Sequence, residues 1–215
     1  MDIIFGRHGN TFGPGDKVVW VGRETDLPLV DTGRQQARAF GAALVRLGLA
    51  PDRVFSASLA RTRGFAEMVS EAQTRWRQPV IDRRLDEVHY GAWAGKTSEE
   101  IAASPGGAAA AEAWSQRDIF PADAGWGSTE SEIMGNIRGF IDEVLLTAGP
   151  RETLLVVSSN GILRFFPRLL AVTNPDRPSH VMKTGHAGLI SGEPGAFRVR
   201  FWNVAAEALS REHLV

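Results

Sequence analysis

Apolar positions along the chain follow two alternating patterns. Short continuous runs at Ile3-Ile4-Phe5, Val54-Phe55 and Val80-Ile81 read as strands. The run Thr153-Leu154-Leu155-Val156-Val157-Ser158 is longer and β-branched, as expected of a central strand covered on both faces. Between these runs the apolar residues recur at helical spacing. Ala37, Phe40, Leu44 and Leu47 lie between a Thr32 cap and Gly48, and Phe65, Met68 and Val69 follow a helix start at Ser58 to Arg63. Ile133, Ile137, Phe140, Ile141 and Val144 form one face of a helix that begins at Ser128 or Thr129. Ser159-Asn160-Gly161 turns sharply into a helix from Ile162 to Leu170. Turns at Asn174-Pro175 and Arg177-Pro178 then lead to two strands near residues 187–191 and 196–201, joined through Glu193-Pro194-Gly195 as an edge hairpin.

Strands alternating with helices predict an α/β fold, a three-layer α/β/α sandwich whose sheet is mostly parallel with an antiparallel edge. Residues 1–215 read as a single domain. The stretch from Asn10 to Asp31, rich in Gly, Pro and Trp, reads as a long loop over a site. The Ala- and Gly-rich segment within 97–127 reads as an insertion or lid with one helix near Ala108 to Arg117.

Composition narrows the chemistry. The 215 residues are 43% hydrophobic and 23% charged, as in a soluble globular protein, and the formal net charge of -1 gives no bias toward nucleic acid or anionic membrane. Any phosphate chemistry must be focused in a cleft. The absence of cysteine excludes disulfides, thiolate nucleophiles and cysteine-bound metal clusters. No apolar run approaches the roughly 20 residues of a membrane span, and no secretory leader is evident, so a cytoplasmic location is expected.

In an open α/β sheet, ligands bind beyond the carboxyl ends of the strands. That rule brings three distant segments to one rim. The first is Arg7-His8-Gly9-Asn10-Thr11: an always-charged donor fork suited to phosphate oxygens, an imidazole that can be neutral at pH 7, and a glycine where a ligand can approach the backbone. The second is the helix start bearing Arg61, and the third is Ser159-Asn160. A fourth segment, Leu85 to Gly95, mixes charges with aromatics, and Glu87 beside them is a candidate proton donor. Each group also has a structural alternative: His8 as a satisfied strand-end histidine, Arg61 as a solvated charge, Glu87 as the partner of Arg83 or Arg84. His89 is a pocket candidate through its closeness to Glu87, whereas His180 and His213 read as surface groups. Trp20, Trp93, Trp114 and Trp126 line a pocket or fill the core.

Arg7-His8-Gly9-Asn10-Thr11, then Ser56-Ala57-Ser58-Leu59-Ala60-Arg61-Thr62, then Leu85-Asp86-Glu87 with Gly91-Ala92-Trp93-Ala94-Gly95, resemble the ordered motifs of the histidine phosphatase superfamily, the family of the phosphoglycerate mutases. The resemblance implies that His8 is the nucleophile, that Arg7 and Arg61 bind phosphate, and that Glu87 protonates the leaving oxygen, with no metal or other cofactor. It implies a metal-independent phosphomonoesterase acting through a phosphohistidine on a small phosphorylated metabolite. A mutase is less expected, because it needs an extensive cover and further basic groups, for which only Gln73 to Arg77 and Arg23-Glu24 offer themselves. Two positions depart from the family pattern. Asn10 stands where a glutamate is common, and Ser159 with Asn160 stands where a second histidine and a glycine are usual. Asn10, Ser159 and Asn160 are then expected to contribute neutral hydrogen bonds to the phosphate. His186 in Lys183-Thr184-Gly185-His186 is a candidate substitute for the missing imidazole. A phosphate-binding or regulatory protein on the same fold is the alternative.

Overall fold

The computed structural model describes residues 1–171 and 179–214, so the turns expected at Asn174-Pro175 and Arg177-Pro178 lie outside the described residues. Strands β1 (Asp2–Arg7), β2 (Arg53–Ser56), β3 (Val80–Ile81), β4 (Thr153–Ser158), β5 (His186–Ser191) and β6 (Arg198–Ala205) form one sheet in the order β3-β2-β4-β1-β5-β6. The pairs β1–β4, β2–β4 and β2–β3 are parallel, and β5 runs antiparallel to both β1 and β6. β4 therefore lies inside the sheet, as its unbroken apolar run requires.

Period-2 alternation builds two cores. Ile3, Phe5, Phe55, Leu154 and Val156 point to one face, and Ile4, Val54, Leu155 and Val157 to the other. Helices α1 (Asp31–Leu47) and α2 (Ala60–Glu71) cover the second face, with Phe40 and Phe65 meeting edge-on at 5.4 Å. The first face is covered by α5 (Glu130–Thr147), α6 (Asn160–Leu163) and α7 (Phe165–Leu170), together with the insertion that holds α3 (Ser98–Ala102) and α4 (Gly107–Arg117). Each fully buried Ile, Leu or Phe contributes roughly 1.5–3 kcal/mol of transfer free energy, so both layers are needed.

Several boundaries differ from expectation, each for a local reason. α1 begins at Asp31 after Val30, so Thr32 falls inside the first turn, and Asp31 pairs with Arg34 at 2.5 Å rather than capping. The expected helix over 162–170 starts earlier and divides at Arg164. Pro167 has no N–H to give the carbonyl of Leu163, which interrupts the helical ladder. Thr129 does cap α5, accepting from the Glu132 N–H at 3.2 Å. α3, not foreseen, starts with a capping box in which Thr97 and Glu100 satisfy each other's backbone N–H groups. Trp126 fastens the insertion to the segment after Glu87: Tyr90, Trp93, Trp114 and Phe120 all pack edge-on against it at 4.8 to 5.2 Å. No helix among the described residues is long and apolar enough to cross a membrane.

Candidate active site

The carboxyl ends of β1, β2 and β4 share one edge of the sheet. Arg7 is in register with Ser158, and the His8 N–H continues the ladder to the Ser158 carbonyl at 3.1 Å. Asp86 ties the segment bearing Glu87 to the loop before Arg61, accepting from the Ser58 N–H at 2.7 Å and the Ser58 hydroxyl at 2.8 Å. The loops and helix starts beyond this edge enclose a cleft of about 730 Å³, lined by Arg7, His8, Asn10, Arg61, Glu87 and Asn160 among others. Six candidates drawn from four separate stretches of sequence thus meet in one cavity.

His8 is 6% exposed, and its Nδ1 lies 2.8 Å from the Gly9 carbonyl oxygen. A carbonyl only accepts, so Nδ1 carries the hydrogen and Nε2 keeps its lone pair. Burial, reinforced by the charges of Arg7 and Arg61, pushes the imidazole pKa well below 6.5, although the Gly9 carbonyl works in the opposite direction. The ring is therefore a neutral imidazole of fixed tautomer, with Nε2 left as an acceptor. The close approach that sets this geometry requires glycine at position 9: a Cβ there would lie 2.7 Å from the Gly33 Cα and overlap its carbonyl oxygen.

Glu87 is 5% exposed, and burial raises its carboxyl pKa above 4.5. The Val88 N–H at 2.9 Å, the guanidinium groups of Arg61 and Arg7, and the Gly161 N–H at 3.4 Å oppose that shift without cancelling it. It makes no ion pair with Arg83 or Arg84; Arg84 instead pairs with Asp82 at 2.5 Å and Glu143 at 2.8 Å. A buried carboxyl group with a raised pKa thus stands in the same cleft as an unprotonated imidazole, two titratable groups whose environments push them toward opposite protonation states.

The remaining groups are donors. Arg7 anchors Nη1 on the Met182 carbonyl at 2.7 Å, while its buried Nε has no partner. Arg61, 1% exposed, is fixed by the carbonyls of Thr25 at 2.9 Å and Gly22 at 3.2 Å rather than being solvated. Asn10 Oδ1 accepts from the Thr184 hydroxyl at 2.5 Å, and Asn160 Oδ1 accepts from the Met182 N–H at 2.8 Å. With both amide oxygens committed to the protein, each NH2 group is left as a donor without a partner among the described residues. Such an array suits a tetrahedral oxyanion.

Two candidates lie elsewhere. Ser159 is wholly buried at the start of α6, does not line the cleft, and its Oγ has no hydrogen-bond partner among the described residues. His186, the candidate substitute imidazole, is not among the residues lining the cleft, and its Nδ1 sits 3.0 Å from the Asn203 carbonyl on the β5–β6 pair. His89 is also outside, with its Nδ1 accepting from the Gly91 N–H at 3.1 Å. His180, read from sequence as a surface group, is 5% exposed, with Nδ1 3.0 Å from Asp118 Oδ2. Of the tryptophans, Trp20 and Trp114 line the cleft, whereas Trp93 packs in the core.

Sequence reasoning missed Arg164 and Tyr90, both of which line the cleft. Arg164 is 1% exposed; its guanidinium lies 3.7 Å over the Trp114 ring and its Nη1 is 3.3 Å from Asp118 Oδ1. Its Nη2 makes no hydrogen bond among the described residues. A lone arginine inside the apolar run Ile162-Leu163-Arg164-Phe165-Phe166 was the available signal. Its partner Asp118, in left-handed conformation at φ 55° after α4, carried none. Burial and the neighbouring Glu87 push the Tyr90 phenol well above 10, so it remains a neutral donor. Among the described residues, no group of three or more His, Cys, Asp or Glu is arranged to hold a metal ion.

The chain matches the histidine phosphatase superfamily (branch 1) over residues 3–205. It is 30% identical to a glucosyl-3-phosphoglycerate phosphatase of Mycolicibacterium vanbaalenii, over 95% of each chain. A solved structure of the mycobacterial glucosyl-3-phosphoglycerate phosphatase superposes with TM-score 0.76 at 23% identity, covering 95% of this chain and 99% of that one. A putative alpha-ribazole-5'-P phosphatase from Escherichia coli superposes with TM-score 0.74 at 21% identity, covering 98% and 99%. These last two likenesses concern the fold.

Proposed function

Since the chain belongs to the histidine phosphatase superfamily, we propose that it is a phosphomonoesterase that transfers the phosphoryl group of a small phosphorylated metabolite to His8 and then to water. The observation that carries this reading is the pairing, in one cleft, of an imidazole held neutral with a free Nε2 and a buried carboxyl group whose pKa is raised by its burial. The phosphatase named among its relatives supports the same reaction class.

In the first step the Nε2 lone pair attacks phosphorus, the bond from phosphorus to the ester oxygen breaks, and Glu87 gives its proton to the departing alkoxide. Arg7, Arg61 and the amide groups of Asn10 and Asn160 hold the three peripheral oxygens, whose charge these fixed donors offset without a metal. In the second step the Glu87 carboxylate takes a proton from water, the oxygen attacks phosphorus, and the P–N bond breaks. Phosphate leaves, with His8 neutral and Glu87 protonated as at the start.

The test is phosphate release from an alkyl or aryl phosphate in EDTA. His8→Ala is expected to abolish it, and turnover that survives this substitution refutes the scheme. The neutral, buried Ser159 favours a second reading, a phosphate-binding protein without useful turnover. Phosphate or vanadate binding with no hydrolysis across a broad substrate panel selects that one.

A further inference from the structure

We infer that the cleft selects phosphomonoesters of uncharged alcohols that combine an apolar face with hydroxyl groups, and discriminates against leaving groups bearing a carboxylate or a second phosphate. This rests on the phosphatase reading, and it follows from where charge sits in the cavity. Among the described residues, the arginines and lysines lining the cleft are Arg7, Arg61 and Arg164. All three interact electrostatically with Glu87, which places them together at the reacting end. Arg164 is in addition answered by Asp118 at 3.3 Å. The cationic capacity of the cleft is thus spent on one phosphoryl group.

Apart from these arginines, His8 and Glu87, the described lining residues are uncharged. Phe12, Val18, Val19, Trp20 and Val21 of the long loop contribute apolar surface, and Ser98, Ser115, Gln116 and Asn203 contribute uncharged hydrogen-bonding groups. Lys17, next to Val18 in sequence, is bound to Glu100 at 2.7 Å and does not line the cleft. A carboxylate carried into this region sheds water and finds no cation among the described lining residues, whereas hydroxyls find amide and hydroxyl partners and an apolar face finds the valines and tryptophans. The volume of about 730 Å³ is that of a site for a whole small molecule, so there is room for a leaving group well beyond the phosphate itself.

The test compares two non-hydrolysable ligands, benzylphosphonate and 4-carboxybenzylphosphonate, by titration calorimetry on the wild-type protein. The matching phosphate esters are then compared by kcat/KM. The neutral phosphonate is expected to bind about tenfold more tightly or better, since a group left unpaired in a partly desolvated site costs on that order. Gln116→Lys, at an exposed position on the rim, is expected to narrow the gap at least threefold by supplying the missing cation. Equal or tighter binding of the carboxylated ligand overturns the inference, as does a gap that Gln116→Lys leaves unchanged or failure of both phosphonates to bind. The expected affinity gap without hydrolysis of either ester upholds the inference and removes the phosphatase reading instead.

Discussion

Replacing Glu87 by Gln keeps the size of the side chain and removes only its transferable proton. The Gln amide oxygen can still accept the Val88 N–H that Glu87 Oε1 takes at 2.9 Å, and the contact surrendered is the long 3.4 Å one from the Gly161 N–H. The fold should therefore survive, and the loss should fall on catalysis. A positioned general acid is worth roughly 10²–10⁴ in rate, which is about 2.7–5.4 kcal/mol of barrier at 1.36 kcal/mol per decade. The whole of that loss is expected with benzyl phosphate, whose alkoxide cannot leave unprotonated. Little of it is expected with 4-nitrophenyl phosphate, whose phenolate needs no acid. The parameter to compare is kcat/KM, because it reports the first irreversible step and not the later hydrolysis.

The pH dependence supplies an independent reading of the same substitution. On the proposed scheme activity requires His8 unprotonated, so it should rise as pH increases through the depressed imidazole pKa, well below 6.5. It also requires Glu87 protonated, so it falls as pH increases through a carboxyl pKa raised above 4.5. Glu87→Gln should erase the alkaline limb and leave the acid limb in place. Equal losses on the alkyl and aryl esters, or an alkaline limb that persists in the variant, would refute the assignment of Glu87 as the acid.

Gly161→Ala should reproduce much of this defect from outside the titrating group. A Cβ there would overlap Glu87 Oε1 and stand 2.8 Å from both the Tyr90 hydroxyl and Val88 Cγ2, displacing the acid from its place, and kcat/KM on benzyl phosphate should fall at least tenfold with an unchanged circular dichroism spectrum. Asp118→Ala strands Arg164 and His180 without their carboxylate, which in a buried network costs about 3–5 kcal/mol and, for a chain of this size, about 2–4 °C in Tm per kcal/mol. Arg164 and His180 hydrogen bonding hold the Asp118 pKa below its ordinary value, so its stabilising contribution is present above the unfolded pKa and lost as pH falls through the folded one; the wild-type and variant melting temperatures should therefore converge on acidification.

The layered fold was legible because its signal is local. Period-2 runs such as Ile3-Ile4-Phe5 and helical spacings such as Phe40, Leu44 and Leu47 need no knowledge of distant partners. The convergence of Arg7, His8 and Arg61 was legible at second hand, through the rule that sites form at the carboxyl edge of a parallel sheet, and Glu87 through its aromatic loop and the family resemblance. What escaped depends on side-chain direction. Whether Ser159 faces the ligand or the interior is set by a single strand-to-helix turn, and the ring of His186 is set by the Asn203 carbonyl on the neighbouring strand. Arg164 left a local signal as a lone charge in an apolar run, but its partner Asp118 left none, because the two meet only through the packing of distant segments.

The proposed reaction gives the two phosphate-binding arginines a second duty. A dianionic ester entering the cleft favours protonation of every titratable neighbour, which helps Glu87, whose acid form is the working one, and harms His8, whose neutral form is needed. The charges of Arg7 and Arg61 already act on both groups: they depress the imidazole and pull the carboxyl downward against its burial. When phosphate oxygens draw on those same charges, the restraint on Glu87 is relieved and the acid is reinforced at the moment it is required. His8 keeps its protection because burial is the largest cause of its lowered pKa, and because Nδ1 is committed to Gly9, leaving only the atom that attacks phosphorus free to take a proton. Substrate binding thus reinforces the acid form of Glu87 while burial continues to hold His8 neutral, and the geometry that recognises the phosphate is also the geometry that prepares the proton transfer.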